Sequence, residues 1–178
     1  MKPLVQFIQE KLVIKKNKNI NYKYFPETKK ELKDIILKRI EQEGNKVDLN
    51  DIDVSNVTDM SNLFKYLDSF NGDISKWDVS NVTDMSGMFY DCKSFNGNIS
   101  NWDVSNVVDM NKMFYECKKF KKDISSWDVS NVTDMNNMFC RCKSFNKDIS
   151  NWDVSNVNDI NCMFEDCPLK EKYKPKFK

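Results

Sequence analysis

Two series of aspartates recur at a fixed spacing in this sequence and could do chemistry. We call each series a column. Each column has five members and follows a 25-residue period. The first is Asp53, Asp78, Asp103, Asp128 and Asp153, and the second is Asp59, Asp84, Asp109, Asp134 and Asp159. Stacked carboxylates could bind calcium, as aspartate-bearing β-helix repeats do. Each aspartate also has a local role open to it, an Asx turn in the first column and a helix N-cap in the second. We favour these structural roles and keep calcium as the alternative.

Six cysteines could supply thiol chemistry or disulfides. Four of them form one repeat column, which is Cys92, Cys117, Cys142 and Cys167. Leu67 holds that position in the first copy, which indicates a small buried hydrophobic site. We therefore expect free core thiols, with cross-links between adjacent copies as the alternative. Cys140 and Cys162 lie outside the column and lack the partners of a zinc site, so no metal or cofactor is expected.

The remaining composition narrows the classes of function. The chain of 178 residues has no histidine and only 4 glycines, which removes Ser-His-Asp triads, Cys-His pairs and phosphate-binding glycine loops. We therefore expect that the protein is not an enzyme. A net charge of +1 argues against nucleic acid as a partner, and no apolar run reaches the ~18 residues of a membrane span. Residues 1–10 lack the apolar core of a secretory signal. The sequence alone therefore predicts a cytoplasmic location, with a removed or replaced leader as the alternative.

An internal repeat organises these columns. Trp77, Trp102, Trp127 and Trp152 follow the same 25-residue period, and Ile52 takes the same place one period earlier. Five such units predict a stack in which each unit packs on its neighbours. Regular aromatic columns in a repeat are typical of a core, so we prefer this role to a stacking platform for sugars or bases.

Within one unit, apolar spacing suggests two elements. Met85, Met88, Phe89 and Cys92 lie at i, i+3, i+4 and i+7, which predicts a short helix that begins after Asp84. Residues 99–102 form the best candidate for a strand, with a bend needed to turn both Ile99 and Trp102 inward. Stacked strands would form a narrow parallel sheet.

Two further sets of polar residues follow from this arrangement. We expect a buried asparagine ladder that satisfies backbone groups at a turn, formed by Asn56, Asn81, Asn106, Asn131 and Asn156. A polar strip beside the strand is the candidate binding surface. Its members are Ser75, Lys76, Ser100, Asn101, Ser125, Ser126, Ser150 and Asn151.

The ends differ from the repeats and divide the chain into three regions. Residues 1–47 form an N-terminal cap, with a helix predicted at about 29–43 from the capping box of Thr28 and Glu31 and from Gly44. Residues 48–167 carry the five repeats, and residues 168–178 form a Lys/Pro-rich end.

The motif over residues 77–95, repeated with small changes, resembles the BspA-type leucine-rich-repeat family of bacterial surface proteins, also known from mycoplasma lipoproteins. The resemblance implies a leucine-rich-repeat-like fold and adhesion or other protein contact at a cell surface. The combined prediction is a right-handed α/β solenoid of five coils, with a parallel sheet, short helical turns on the opposite side and an N-terminal capping helix. We expect a non-catalytic module that binds a protein partner, with a structural part of a phage or envelope particle as the alternative.

Overall fold

The computed structural model describes residues 21–177. The first part of the predicted cap, including the stretch inspected for a secretory signal, lies outside that range. Helix α1 spans Lys29–Glu43 and a single 3-10 turn spans Glu171–Tyr173. Within residues 21–177 no helix combines the length and apolar composition needed to cross a membrane.

Helix α1 confirms the predicted capping helix. The Thr28 side chain accepts a hydrogen bond from the N–H of Glu31 at 3.2 Å. The Glu31 carboxylate accepts one from the N–H of Glu27, one residue before the expected reciprocal partner. Gly44 ends the helix at φ 86°, where its N–H donates to Ile40. Leu32 and Ile36 are fully buried against the first repeat.

Arg39 fixes the helix to the chain that follows it. Its side chain is largely buried, and its guanidinium donates to the Asp51 carboxylate at 2.8 Å and to the Asp48 carbonyl at 2.9 Å. The guanidinium also pairs with Glu43. Partial burial opposes ionisation of Asp51, but the bonds from Arg39 and Lys23 hold its pKa below the ordinary value. These contacts set the helix over the first repeat.

The five units stack in register, one period apart. Isolated parallel bridges join Asp59 to Asp84 and continue through Asp109 and Asp134 to Asp159. The buried side chains form one continuous core that runs through all five units. The phenylalanines of one column stack with ring centroids 5.3–5.9 Å apart, from Phe64 to Phe164.

The predicted α/β solenoid with a parallel sheet is wrong. Across the described range the pairing between units consists of isolated bridges, no strand forms, and α1 is the one α-helix. The segment predicted as a strand is a tight turn, in which the N–H of Trp102 donates to the carbonyl of Ile99. This turn points both side chains inward, so no sheet runs along this column.

The segments predicted as short helices are runs of turns. In the second unit the N–H groups of Met88 and Cys92 bond to the carbonyls three residues earlier, whereas that of Phe89 bonds to the next unit. Gly87 and Asp91 have positive φ, which an α-helix excludes. Hydrogen bonds within local turns thus alternate with hydrogen bonds to the next unit. The apolar spacing that predicts a helix is equally compatible with this arrangement.

The C-terminal end closes the stack. The N–H of Ile149 donates to the carbonyl of Tyr173, and Leu169 and Pro175 are buried. The tail beyond Pro168 therefore covers the last repeats and acts as the second cap that the Lys/Pro-rich end predicts.

Candidate recognition site

The predicted polar strip lies at the turn between the isoleucine and tryptophan columns, where much of its hydrogen-bonding capacity is already used. The hydroxyls of Ser100, Ser125 and Ser150 donate to the side chains of Asn98, Asp123 and Asp148, respectively. The N–H of Ser75 donates to Asp73 at 2.9 Å. These bonds form a third column of Asx turns, two residues before each serine.

The other four members of the strip occupy one column, and three of them form hydrogen bonds to the preceding unit. The N–H of Lys76 donates to Asn50 of the preceding turn at 2.7 Å. Ser126 and Asn151 donate from their side chains to the carbonyls of Ser100 and Ser125, one unit earlier in the stack. Asn101 is exposed like its neighbours in the column. The strip thus holds adjacent units together and offers few unused donors.

The predicted asparagine ladder exists but is exposed. The amide nitrogens of Asn81, Asn106, Asn131 and Asn156 donate to serine carbonyls of the preceding unit at 2.7–2.9 Å. All five members of the column, including Asn56, are exposed to solvent. The expectation of burial is therefore wrong, because the turn that carries the asparagine points it outward and sideways along the stack.

Both aspartate columns form Asx turns. In the first column Asp53, Asp78, Asp103, Asp128 and Asp153 accept from the N–H of the serine two residues ahead. In the second column Asp59, Asp84, Asp109, Asp134 and Asp159 accept from the residue two ahead at 2.8–2.9 Å. The predicted N-cap role is wrong, since no helix follows. In the part of the chain described, no three His, Cys, Asp or Glu side chains are arranged to hold a metal.

The second aspartate column is electrostatically uneven. At its start Lys29 of α1 pairs with Asp59 at 2.7 Å. Partial burial opposes ionisation of Asp59, but its bonds with Lys29 and Ser61 hold its pKa below the ordinary value. In the middle, partial burial raises the pKa of Asp109, and the charges of Asp134 and Asp84 add to the rise. Among the described residues Asp109 has no ion-pair partner, in contrast to Asp59.

Three of the four column cysteines are part of the core, as the sequence predicts, whereas Cys167 is only partly buried. Cys92, Cys117 and Cys142 are fully buried, and each thiol points at a phenylalanine carbonyl of the preceding unit at 2.8–3.0 Å. Burial raises the pKa of Cys92 to about 12. All six cysteines are free; Cys140 is buried and Cys162 exposed.

A ridge of three tyrosines, Tyr66, Tyr90 and Tyr115, is the feature that sequence reasoning missed. Tyr66 is 61% exposed, the largest value for a big hydrophobic side chain among the residues described. Its ring meets that of Tyr90 edge-on at 5.5 Å, and Tyr90 stacks on Tyr115 at 4.7 Å. The Trp and Phe columns, by contrast, are almost entirely buried. The tyrosine ridge is thus an aromatic surface continuous over three units.

Cations flank both ends of the tyrosine ridge. The Lys65 ammonium lies 5.1 Å from the ring centroid of Tyr66 and 4.8 Å from that of Tyr90. At the other end the Arg141 guanidinium lies 5.9 Å from the Tyr115 ring and bonds to Glu116 at 3.1 Å. These cation–π contacts order the rings and place charge around an aromatic centre.

A signal for the tyrosine ridge is present in the sequence. Tyr90 and Tyr115 directly follow the buried phenylalanine column, and residues with such a neighbour in an extended or turning chain point to the opposite side. Cys140, which continues their column, is apolar and buried, and this hides the pattern.

Comparison with known proteins gives one family. The family described as "Mycoplasma protein of unknown function, DUF285" matches residues 33–127 and again residues 96–172. No curated protein matches the chain. No solved structure matches it either. The two matches together span most of α1 and all five repeats, well over half of the sequence, and the chain therefore belongs to this family of repeat-containing mycoplasma proteins.

Proposed function

We propose that this protein is a non-catalytic recognition module that binds a protein partner through the tyrosine ridge. The observation that carries the proposal is the continuous ring series in which Tyr66 is exposed and Tyr90 and Tyr115 are half-buried. The other repeated aromatic side chains are core. Tyrosine and arginine are enriched in the energetic centres of protein interfaces, because they bury large area with few rotatable bonds.

The surroundings of the ridge support this role. Asp91 pairs with Lys93 at 3.2 Å and Glu116 pairs with Lys118 at 3.3 Å, which surrounds the rings with charged groups. An aromatic centre inside a polar rim is the usual anatomy of a protein interface. Partial burial, together with the adjacent Tyr115, raises the pKa of Tyr90. A tyrosine phenol can donate a hydrogen bond to a partner.

The experiment is a screen on a protein array followed by affinity measurement on each protein that binds. The ridge variant carries Tyr66→Ser, Tyr90→Ser and Tyr115→Ser. A gentler variant, Tyr66→Asp, installs at the most exposed position the residue that the second unit carries in the same column at Asp91. We expect each to weaken binding about tenfold or more, since central aromatic side chains dominate interface energies.

The matched control changes the polar strip with Lys76→Ser, Asn101→Ser and Asn151→Ser, using the residue found at position 126 of the same column. The control should bind like the wild-type protein. If ridge and control variants bind alike, or if no protein on the array binds more tightly than about 10 µM, the proposal is wrong.

A further inference from the structure

A second surface, distinct from the tyrosine ridge, carries three lysines that have no acidic partner among the described residues. We refer to it as the lysine groove; it is a shallow groove of about 450 Å³. Its lining is Lys46, Ser69, Asn71, Ser94, Asn96, Lys119, Lys121 and Ser144. No carboxylate and no apolar side chain lines it. Within residues 21–177 none of its three lysines forms an ion pair, unlike Lys93, which pairs with Asp68 at 2.8 Å.

The repeat explains the shape of the lysine groove. Phe70, Phe95 and Phe120 point into the core, so the residues on either side of each phenylalanine face outward. One edge of the groove is the column of Ser69, Ser94, Lys119 and Ser144, and the other is Lys46, Asn71, Asn96 and Lys121. Lys46 and Lys121 stand three units apart, roughly 14 Å at ~4.8 Å for each step. A linear polyanion that follows the groove can contact both.

Lys121 stands where other units carry an asparagine whose side chain accepts a backbone hydrogen bond from the next unit. Asn71 accepts from the N–H of Asn96 at 2.8 Å, and Asn96 accepts from that of Lys121 at 3.1 Å. A lysine has no acceptor, so the series stops there, and it resumes only where Asn146 accepts from Lys170. The third unit therefore gives up a bond of the ladder and gains a positive charge, together with Lys119 in place of the serine of other units.

We infer that the lysine groove binds a linear sulfated polysaccharide. Its amide, hydroxyl and ammonium donors match the sulfate, carboxylate and hydroxyl groups of such a chain, and the unpaired lysines provide charge complementarity. The side chains differ from those of the tyrosine ridge, so this inference goes beyond the proposed protein-binding function and can fail independently of it.

Two other polyanions fit the groove less well. A single-stranded nucleic acid gains affinity by stacking bases on aromatic side chains, and the groove exposes none. An acidic peptide that added itself as a strand would need free backbone groups, but the N–H groups of Asn71, Ser94 and Lys119 already bond to the preceding unit.

The test measures binding of the full chain to heparin by titration calorimetry at about 0.15 M salt, a physiological ionic strength. The groove variant carries Lys46→Gln, Lys119→Ser and Lys121→Asn, the last two being residues that other units carry at these positions. The charge-matched control carries Lys30→Gln, Lys38→Gln and Lys76→Gln, three exposed lysines outside the groove. We expect at least a tenfold loss of affinity for the groove variant and less than a twofold change for the control.

Salt dependence and competing polyanions complete the test. The slope of log affinity against log salt should become shallower by about two to three ions in the groove variant, since fewer counterions are displaced. De-sulfated heparin, polyphosphate and a single-stranded oligonucleotide should each bind at least tenfold more weakly than heparin. Equal loss in the control, equal binding of polyphosphate or oligonucleotide, or no binding of heparin would each overturn the inference.

Discussion

Replacing Asn106 by alanine tests how the units are held together at their exposed turns. The side-chain amide of Asn106 donates to the carbonyl of Ser80 at 2.7 Å, a single bond between the second and third units. Because the asparagine is exposed, water can reach the Ser80 carbonyl once the amide is gone. The loss should therefore be the net value of one hydrogen bond, about 0.5–1.5 kcal/mol in the free energy of unfolding, and not the larger penalty of a buried orphan group.

Urea unfolding followed by circular dichroism measures this loss as a lower midpoint at an unchanged slope. Asn56→Ala is the matched control, because the described residues supply no hydrogen-bond partner for its side chain in the first unit. We expect it to change the free energy of unfolding by less than about 0.5 kcal/mol. Removing all four bonded asparagines should cost about 2–6 kcal/mol if the turns act independently.

Asn106→Asp separates the donor from the shape of the side chain. The carboxylate would face the Ser80 carbonyl without a proton to donate, so at neutral pH it should cost more than alanine does. Below about pH 4 the protonated acid can donate, and the difference should shrink. The exposed-ladder explanation would be refuted if Asn106→Ala changed the free energy of unfolding no more than Asn56→Ala does. It would also be refuted if the loss were as large as that of a buried group left without a partner.

Three further predictions address the core, the aspartate column and the thiols. Phe114→Ala should lower the free energy of unfolding by about 3–5 kcal/mol and Phe114→Leu by less, measured by calorimetry, because the ring is fully buried between its column neighbours. Asp109→Asn should stabilise the protein at neutral pH. The raised pKa of Asp109 means that its protonated form favours folding, a contribution present below the ordinary pKa and lost as pH rises through the folded-state pKa, so the gain should vanish in acid. In thiol titration Cys162 should react in the native protein and all six cysteines after unfolding; rapid native reaction of Cys92 would contradict its burial.

Local patterns predicted some features well. The helix over residues 29–43 was predicted with both ends correct, because its cap, its apolar face and its terminal glycine all lie within one stretch of chain. The Asx turn at Asp78 likewise needs only the serine two residues ahead. The burial of three of the four column cysteines was predicted from the leucine that holds the same position in the first unit.

The errors share one cause. Met85, Met88, Phe89 and Cys92 have the spacing of a helix, but their N–H groups alternate between local carbonyls and those of the next unit. The period of the sequence cannot show whether an N–H group bonds locally or to another unit. The N–H of Phe89, for example, donates to the carbonyl of Met113 in the following unit. The same holds for Asn106, whose acceptor belongs to another unit and whose exposure depends on the direction of the turn.

The sequence by itself determined the 25-residue period, the columns that must be core and the capping helix, since identical residues at one spacing meet identical neighbours in any stack. Only the tertiary structure decided that the units pair through turns and isolated bridges, that the three tyrosines form one partly exposed ridge, and that Lys46 and Lys121 line one groove. The physical reason is that backbone hydrogen bonds between units determine the local dihedral angles, and those angles determine which side chains face solvent.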